Sequence, residues 1–490
     1  MKFYPLFDSE ESKELDKVSS QDLGYNETTL MGMAAVSVYH ANEDLWSTAN
    51  SIFIVCGTGG NGGDGYALAQ ILFQEGHSVF CFGETPTKQK AAEFYHSLCQ
   101  KTGVKLFSLS ELTTQLDKNE DESVLLVDAI LGIGFKPPLK KNLDTIIQLL
   151  NDHPSIFYTI ALDTPSGWAC EMDSNFIIAD SIEELGTRKW ENIGYIHESG
   201  SVIPRYYESI GFPTKTHTNL NNFSRRFYLE PDLEGALQTA KRKTNDHKYS
   251  AGSAVFYGGD SGMEGAILLS ERAFSALGGG ISKIGSPSLQ IQNLVLKDDL
   301  SKMAMSTSLL NFLKDPFCAK TKSILVGPGL TEYPKELEGY RFAPGVRLVL
   351  DAGAIPKSTD SLPFADEILL TPHTGEFYQM TGFKTGSIQS AYKPLKEYCK
   401  KNQVNVLLKS YVSLLMTKEE EVFVWESPNP RLSVMGSGDL LAGIIIRYFA
   451  LGLPVVNSVH FALSLLEHSR EMKVENPSAH QILNSMIGIL

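Results

Sequence analysis

Short apolar runs alternate with longer amphipathic stretches along the whole chain, and this restricts the fold more than any other feature. Ser51-Ile52-Phe53-Ile54-Val55-Cys56 reads as a buried strand, and residues 63–74 read as the helix after it. Residues 78–82, 124–128 and 158–163 read as further strands, with a polar helix near 88–101. After a polar stretch at 214–222, read as a linker, the alternation restarts. Strands are expected at 254–257, 323–326, 347–350, 367–370, 404–408 and 422–425, and helices at 263–277 and 439–451. Strands that are apolar throughout need cover on both faces, so the spacing predicts an α/β class with parallel sheets. Two domains are expected, residues 1–213 and 228–490.

Charge and cysteine content exclude several functions. There are 43 Lys and Arg against 57 Asp and Glu, a net charge of −14, the wrong sign for a non-specific binder of nucleic acid or anionic membranes. Small anions stay open, because backbone N–H groups can hold them locally. Cys56, Cys81, Cys99, Cys170, Cys318 and Cys399 are scattered with no Cys-x-x-Cys, which favours reduced thiols over disulfides or zinc. The first eight residues turn acidic at once, unlike a secretory leader, and the apolar run 440–456 is broken by Arg447 and Pro454. A cytoplasmic protein with no membrane and no nucleic-acid partner is expected.

Glycine loops follow strands in both halves. Gly57-Thr58-Gly59-Gly60-Asn61-Gly62-Gly63-Asp64-Gly65 joins a strand to a helix N-terminus and makes an anion-binding corner. Its Gly-x-Gly-x-x-Gly also fits a dinucleotide fingerprint, but Asp64 is an awkward neighbour for a pyrophosphate. Asp64 reads equally as a helix cap. Asp128 and Asp163 stand at two other strand ends, where parallel sheets bind ligands. In the second half, Gly436-Ser437-Gly438-Asp439 opens an apolar helix. Small residues there leave N–H groups free for an oxyanion, and Asp439 could take a proton from a substrate hydroxyl; a plain capped helix is the alternative. His247-Lys248, the loop 258–266, Gly327-Pro328-Gly329-Leu330, Thr371-Pro372-His373 and Lys409 lie at other strand ends or turns. The chain has no Gly-x-x-x-x-Gly-Lys-Ser/Thr and no His-Glu-x-x-His.

In the order found, G-x-G-x-N-G-G-D-G, D-A-I-L-G-x-G and D-x-P-S-G resemble the YjeF N-terminal domain, the NAD(P)H-hydrate epimerase, over roughly residues 8–213. Leu30-Met31-Gly32-Met33-Ala34-Ala35 is similar to that family's Leu-Met-Glu-x-Ala-Gly helix, departing at Gly32 and Ala35. The resemblance implies a Rossmann-like fold and interconversion of the two epimers of hydrated NADH or NADPH (NADHX, NADPHX). It implies that Asn61, Asp128 and Ser166 hold potassium. It also implies that Gly60, Asn61, Gly62, Gly63, Asp64, Asp163 and the loop 132–138, with Gly132, Ile133, Gly134 and Phe135, line the hydrate site, and that Asp128 and Asp163 are candidates for proton transfer. Gly60 stands where the family has Asn.

The second set of loops resembles the YjeF C-terminal domain, the ADP- or ATP-dependent NAD(P)H-hydrate dehydratase, over about residues 228–490. That family is ribokinase-like. The resemblance implies phosphorylation of the hydrate's C6 hydroxyl, then loss of phosphate. Asp439 becomes the base and Gly436, Ser437 and Gly438 the anion hole. Lys409, Ser410, Tyr411, Val412, Ser413 and Asn429 become nucleotide contacts, and Gly329 and His373 hydrate contacts. Magnesium is expected from the phosphoryl transfer. The family forms oligomers. Gly353, Arg431 and Met435 depart from its motifs. Two rival readings are a ribokinase-type small-molecule kinase, with a stable phosphorylated product, and a nucleotide-binding scaffold with inactive halves.

Overall fold

The computed structural model describes residues 3–21, 24–87, 89–119, 123–168, 175–195, 203–212, 225–357 and 360–489. The expected linker at 214–222 and Cys170 lie outside these residues. The chain divides into two compact units, one spanning Pro5–Arg226 and the other Phe227–Leu490 together with the amino-terminal residues up to Tyr4.

The first unit is built on seven strands in the order Lys105–Phe107, Val79–Gly83, Ser51–Cys56, Val124–Ala129, Ile156–Leu162, Ser181–Leu185 and Arg205–Glu208. All pairings are parallel. The chain starts mid-sheet at Ser51–Cys56, works outward to one edge, then returns and works to the other. The reversal falls between Ser51–Cys56 and Val124–Ala129, which are in register with Val55 opposite Asp128. Such a switch point leaves a crevice at the carboxyl ends of the two strands. Every residue of both strands is buried, because helices cover both faces. Glu27–Ala41, Gly60–Gln74 and Lys90–Thr102 contribute to one core, with Met31, Tyr66, Leu68 and Cys99 fully or nearly buried. Leu112–Lys118 and Lys141–Asp152 contribute to the other, around Phe53, Leu126 and Ile147.

In the second unit the sheet runs Met303–Ser306, Ile281–Ser286, Ser253–Tyr257, Ser323–Val326, Arg347–Leu350, Glu367–Leu370, Asn405–Leu408, Val412–Met416 and Val422–Glu426. Pairing is parallel as far as Asn405–Leu408. The last three strands are antiparallel, which departs from the purely parallel expectation. The connection 409–411 is too short for a crossover, so the chain can only turn back on itself. Helices Glu264–Ala276, Ser437–Ala450 and Val455–Glu467 pack over one core with Phe256, Phe274, Ile444 and Leu465 inside. Ser437–Ala450 is fixed by Arg447, 1% exposed, whose guanidinium donates to Leu277 O, Ala251 O and Ala240 O at 2.8, 2.6 and 2.8 Å. Five cysteines among the described residues are unpaired thiols.

Candidate active sites

At the switch point of the first unit lies a cleft of about 960 Å³. Gly60, Asn61, Asp64, Gly132, Ile133, Gly134, Phe135 and Asp163 line it, as expected from the sequence. Gly62 and Gly63 sit behind the lining, in the first turn of Gly60–Gln74. Gly62 is needed there because any Cβ would collide with Gly57 O, the carbonyl that closes the loop. Among the departures from the family pattern, the Tyr95 hydroxyl fills the space beside Gly32 and the Gln89 amide the space beside Gly60.

Asp128 and Ser166 lie under the cleft floor. The buried Asp128 carboxylate accepts from Ser166 Oγ at 2.5 Å, Ser166 N at 2.7 Å and Ile130 N at 3.1 Å. Burial pushes its pKa up to about 6, against the pull of those donors. Asn61 donates through Nδ2 to Leu131 O at 2.8 Å. Its Oδ1 is shut from solvent and accepts nothing among the described residues. An orphaned amide oxygen in the loop next to a buried carboxylate is a donor set that fits a large monovalent cation.

The cleft also contains groups that sequence reasoning missed. Lys189, on the two-residue strand Arg188–Lys189, is buried and forms an ion pair with Asp163 at 2.8 Å. Its ammonium also donates to Leu185 O, Thr187 O and Thr187 Oγ1. Asp163 is held at φ 65°, a backbone state costly for a non-glycine residue. Burial raises Asp64 well above the usual carboxylate range; the Asp163 and Asp16 charges add to this and Lys189 offsets it. Asp16, open to the cleft, is raised to about 6 by the surrounding protein, with Lys189 opposing. Neither Asp16 nor Lys189 belongs to a loop motif, and each has a charged neighbour, Lys17 and Arg188, so nothing in the local sequence marked them.

In the second unit the expected His373 and Lys409 stand at the carboxyl ends of parallel strands, together with Asp351, which the sequence did not single out. Asp351 follows Arg347–Leu350, His373 follows Glu367–Leu370, and Lys409 follows Asn405–Leu408. Asp351 is buried and accepts from Thr371 Oγ1 at 2.7 Å and Lys409 Nζ at 2.8 Å. Burial works most strongly against the Lys409 charge, but the Asp351 carboxylate, with the Glu376 and Asp439 charges, holds the ammonium above its ordinary range. Lys409 Nζ lies 3.5 Å from where a Cβ on Gly438 would stand. It therefore adjoins the first turn of Ser437–Ala450, which Gly436 precedes and in which Asp439 sits. Burial and the Asp351 charge raise Asp439 to about 6, with Lys409 opposing. Ser437 N donates to Val434 O at 3.2 Å, which leaves the Gly436 and Gly438 N–H groups at the helix start; with a carboxyl titrating at about 6 and a fixed ammonium, these are the parts of a phosphoryl-transfer site.

The other expected contacts are placed less directly. His373 is the N-cap of Thr374–Thr381: Nδ1 accepts from Gly375 N at 3.0 Å and Glu376 N at 3.3 Å. His373 thus has a structural task whatever else it does. Gly329 O accepts from Asp260 N at 2.7 Å, tying two strand-end loops together. Ser410 and Tyr411 form the turn into Val412–Met416, where Val412 is fully buried and Ser413 donates to Ser410 O. Asn429 caps the turn Pro430–Leu432 and donates to Ser469 Oγ at 2.9 Å. Arg431 is turned onto Val474 O and Met472 O, and Met435 is 95% exposed. At Gly353 a Cβ would collide with Leu330 O, so this backbone leaves no room for a side chain.

Fold and sites together define a two-unit α/β enzyme, with carboxyls and a buried lysine around a cleft in one unit and a carboxyl, an ammonium and a helix N-terminus gathered in the other. The family model described as YjeF-related protein N-terminus matches residues 27–182, and that described as NAD(P)H-hydrate dehydratase matches residues 254–486. The bifunctional NAD(P)H-hydrate repair enzyme Nnr of Coxiella burnetii is 26% identical over 90% of this chain and 89% of its own. The enzyme of the same name from Moorella thermoacetica is 28% identical over 91% of this chain and 88% of its own. A solved ADP/ATP-dependent NAD(P)H-hydrate dehydratase from Bacillus subtilis, co-crystallized with ATP/Mg2+, has a TM-score of 0.45 at 22% identity, covering 53% of this chain and 95% of that one. The chain belongs to the bifunctional NAD(P)H-hydrate repair enzymes.

Proposed function

We propose that the chain returns hydrated NADH and NADPH to use: it converts R-NAD(P)HX to the S epimer and dehydrates S-NAD(P)HX with ADP or ATP. The observation that carries this reading is the Asp439 cluster. Asp439 takes the proton of the C6 hydroxyl, whose oxygen attacks the terminal phosphorus of the nucleotide. The Gly436-Ser437-Gly438 turn, through the N–H groups of Gly436 and Gly438, holds with Lys409 the negative charge that gathers on the transferred group, while Ser437 N–H is held by Val434 O. Phosphate then leaves C6, C5 gives up a proton, and the dihydronicotinamide is restored. Lys409 to Ser413 and Asn429 would contact the nucleotide, and Gly329 and His373 the hydrate. Magnesium keeps most of its water and phosphate ligands and needs at most one or two carboxylates; Asp351 and Asp439 are the carboxyls of this strand-end cluster.

In the first unit the cleft would hold the hydrate between the loops 57–65 and 130–138. Potassium would be held by Asn61, Asp128 and Ser166, a role supported by the idle Asn61 Oδ1. The ion would offset the Asp128 charge and fix the loop that shapes the cleft.

The test uses purified R- and S-NADHX with ADP or ATP, following recovery of the NADH absorbance in the wild type and in Asp439→Asn. Recovery from S that the substitution abolishes supports the dehydratase. A stable phosphorylated hydrate with no recovered NADH would make the protein a kinase. Recovery from R faster than its spontaneous epimerisation, slowed when potassium is replaced by tetramethylammonium, supports the epimerase.

A further inference from the structure

Lys189 is the feature of the first unit that packing does not explain. Its side chain is only 3% exposed. Burying an ammonium costs several kcal/mol unless a counter-charge is supplied. Its one carboxylate partner among the described residues is Asp163, 15% exposed at the side chain and lining the cleft. The other carboxylate oxygen, Asp163 Oδ2, is 3.7 Å from where a Cβ on Gly132 would stand, so it faces the opposite lip of the cleft. Asp163 N is anchored on Glu183 O at 2.8 Å, and Asn192 Nδ2 holds Asp163 O at 2.9 Å. Asp64 lines the same cleft, yet its carboxyl makes no ion pair or hydrogen bond among the described residues. One carboxylate is therefore fixed and matched with a cation, and its neighbour is not.

We propose that Lys189 is a positioning residue of the epimerisation, holding Asp163 as its counter-ion against the cleft so that the proton the reaction moves is carried by Asp64. This rests on the epimerase reading above. Asp64 gives its proton to the C6 hydroxyl as the C6–O bond breaks, and the ring nitrogen's lone pair fills the vacancy at C6. Asp163 balances the positive charge on the ring. Water then adds from the opposite face and returns a proton to Asp64, leaving the other epimer with no net change of atoms or electrons. The charged and titratable groups facing Asp64, Asp163 and Lys189 are Asp16, Tyr95, Glu184, Glu191 and Tyr207. Lys13, Lys17, Lys136 and Lys140 also line the cleft, with Glu27 and Glu84, but Lys189 is the cation paired with Asp163 and acting on Asp64.

The experiment uses the full chain with R-NADHX and no nucleotide, separating the epimers chromatographically, for wild type, Lys189→Met and Asp64→Asn. Dehydration of S-NADHX with ADP or ATP in the same preparations checks that each chain is intact. Lys189→Met is expected to lower kcat about 10²-fold with KM within a few-fold. It should also move the alkaline limb of the kcat profile to higher pH, because Lys189 is the cation that opposes proton retention at Asp64. A loss that is equal at every pH, with the limb unmoved, would mean a merely structural lysine and overturn the proposal. So would an unchanged kcat. Should Lys189→Met not fold, Asp64→Asn decides: retention of more than about a tenth of wild-type epimerisation overturns the proposal, and loss of about 10²-fold with S dehydration intact supports it. A wild-type chain that does not accelerate R-to-S conversion at all would overturn the epimerase reading itself, and this inference with it.

Discussion

Asp439, the proposed base of the dehydration, shows how surroundings tune one side chain. It must be ionised to serve as a base, and burial together with Asp351 raises its pKa to about 6. Dehydration of S-NAD(P)HX should therefore be full above that value and be lost as the pH falls through about 6. Lys409 opposes the shift, so Lys409→Met should move this acid limb upward, read from kcat against pH in the NADH-recovery assay. Asp439→Asn should lower kcat by about 10² to 10⁴-fold. Asp439 and Lys409 were legible in the sequence because each sits beside a motif: a glycine turn before an apolar helix, and the end of an apolar run. Lys189 and Asp16 were not legible. Their meaning comes from Asp163 and Asp64, which reach them only through tertiary packing. His373 was half-legible, since a polar residue between a strand and a helix can be a cap, a ligand contact or both, and only the geometry assigns the cap.

At the scale of elements, apolar continuity located the central strands well. Ser51–Cys56, Ser323–Val326, Arg347–Leu350 and Glu367–Leu370 lie where the sequence placed them. Strands at or near the sheet edges were missed, and so were Ile281–Ser286 and the interior Val412–Met416. Met303–Ser306 carries exposed and half-buried residues, and Ser181–Leu185 has Glu183 and Glu184 in its middle, so neither reads as a buried strand. Glu183 is nevertheless buried and accepts from Asn42 Nδ2 at 3.0 Å. Helix Ser437–Ala450 depends on Arg447 as much as on its apolar residues. Arg447→Met would leave the carbonyls of Leu277, Ala251 and Ala240 buried without their donor. We expect a loss of about 2–4 kcal/mol in denaturant unfolding of the second unit. Gly353→Asp should also destabilise, by about 1–3 kcal/mol, because its Cβ meets Leu330 O. The same melts would show that loss, and an unchanged midpoint would mean that the loop 327–330 has room to move.

At the scale of the whole molecule, two chemistries share one chain, and each unit has its own strand-end site. The full-length Asp439→Asn chain should still convert R-NADHX into a mixture of epimers while forming no NADH with ADP or ATP. Asp128→Asn should do the reverse, leaving S-NADHX dehydration near wild type and slowing use of R. Chromatography of the epimers, run alongside the absorbance assay, reads both. Among the described residues no helix is long and apolar enough to cross a membrane. The ordering of the units along the chain has a further consequence. Phe3 packs edge-on against Phe227 and Phe423, within the unit otherwise made from Phe227–Leu490. During synthesis at roughly 5–20 residues per second, Phe3 waits tens of seconds before Phe423 exists. In that interval the first unit can fold complete on the ribosome, with the segment ahead of it still unattached. A gene split after that unit would leave Phe3 on a different polypeptide from its aromatic partners.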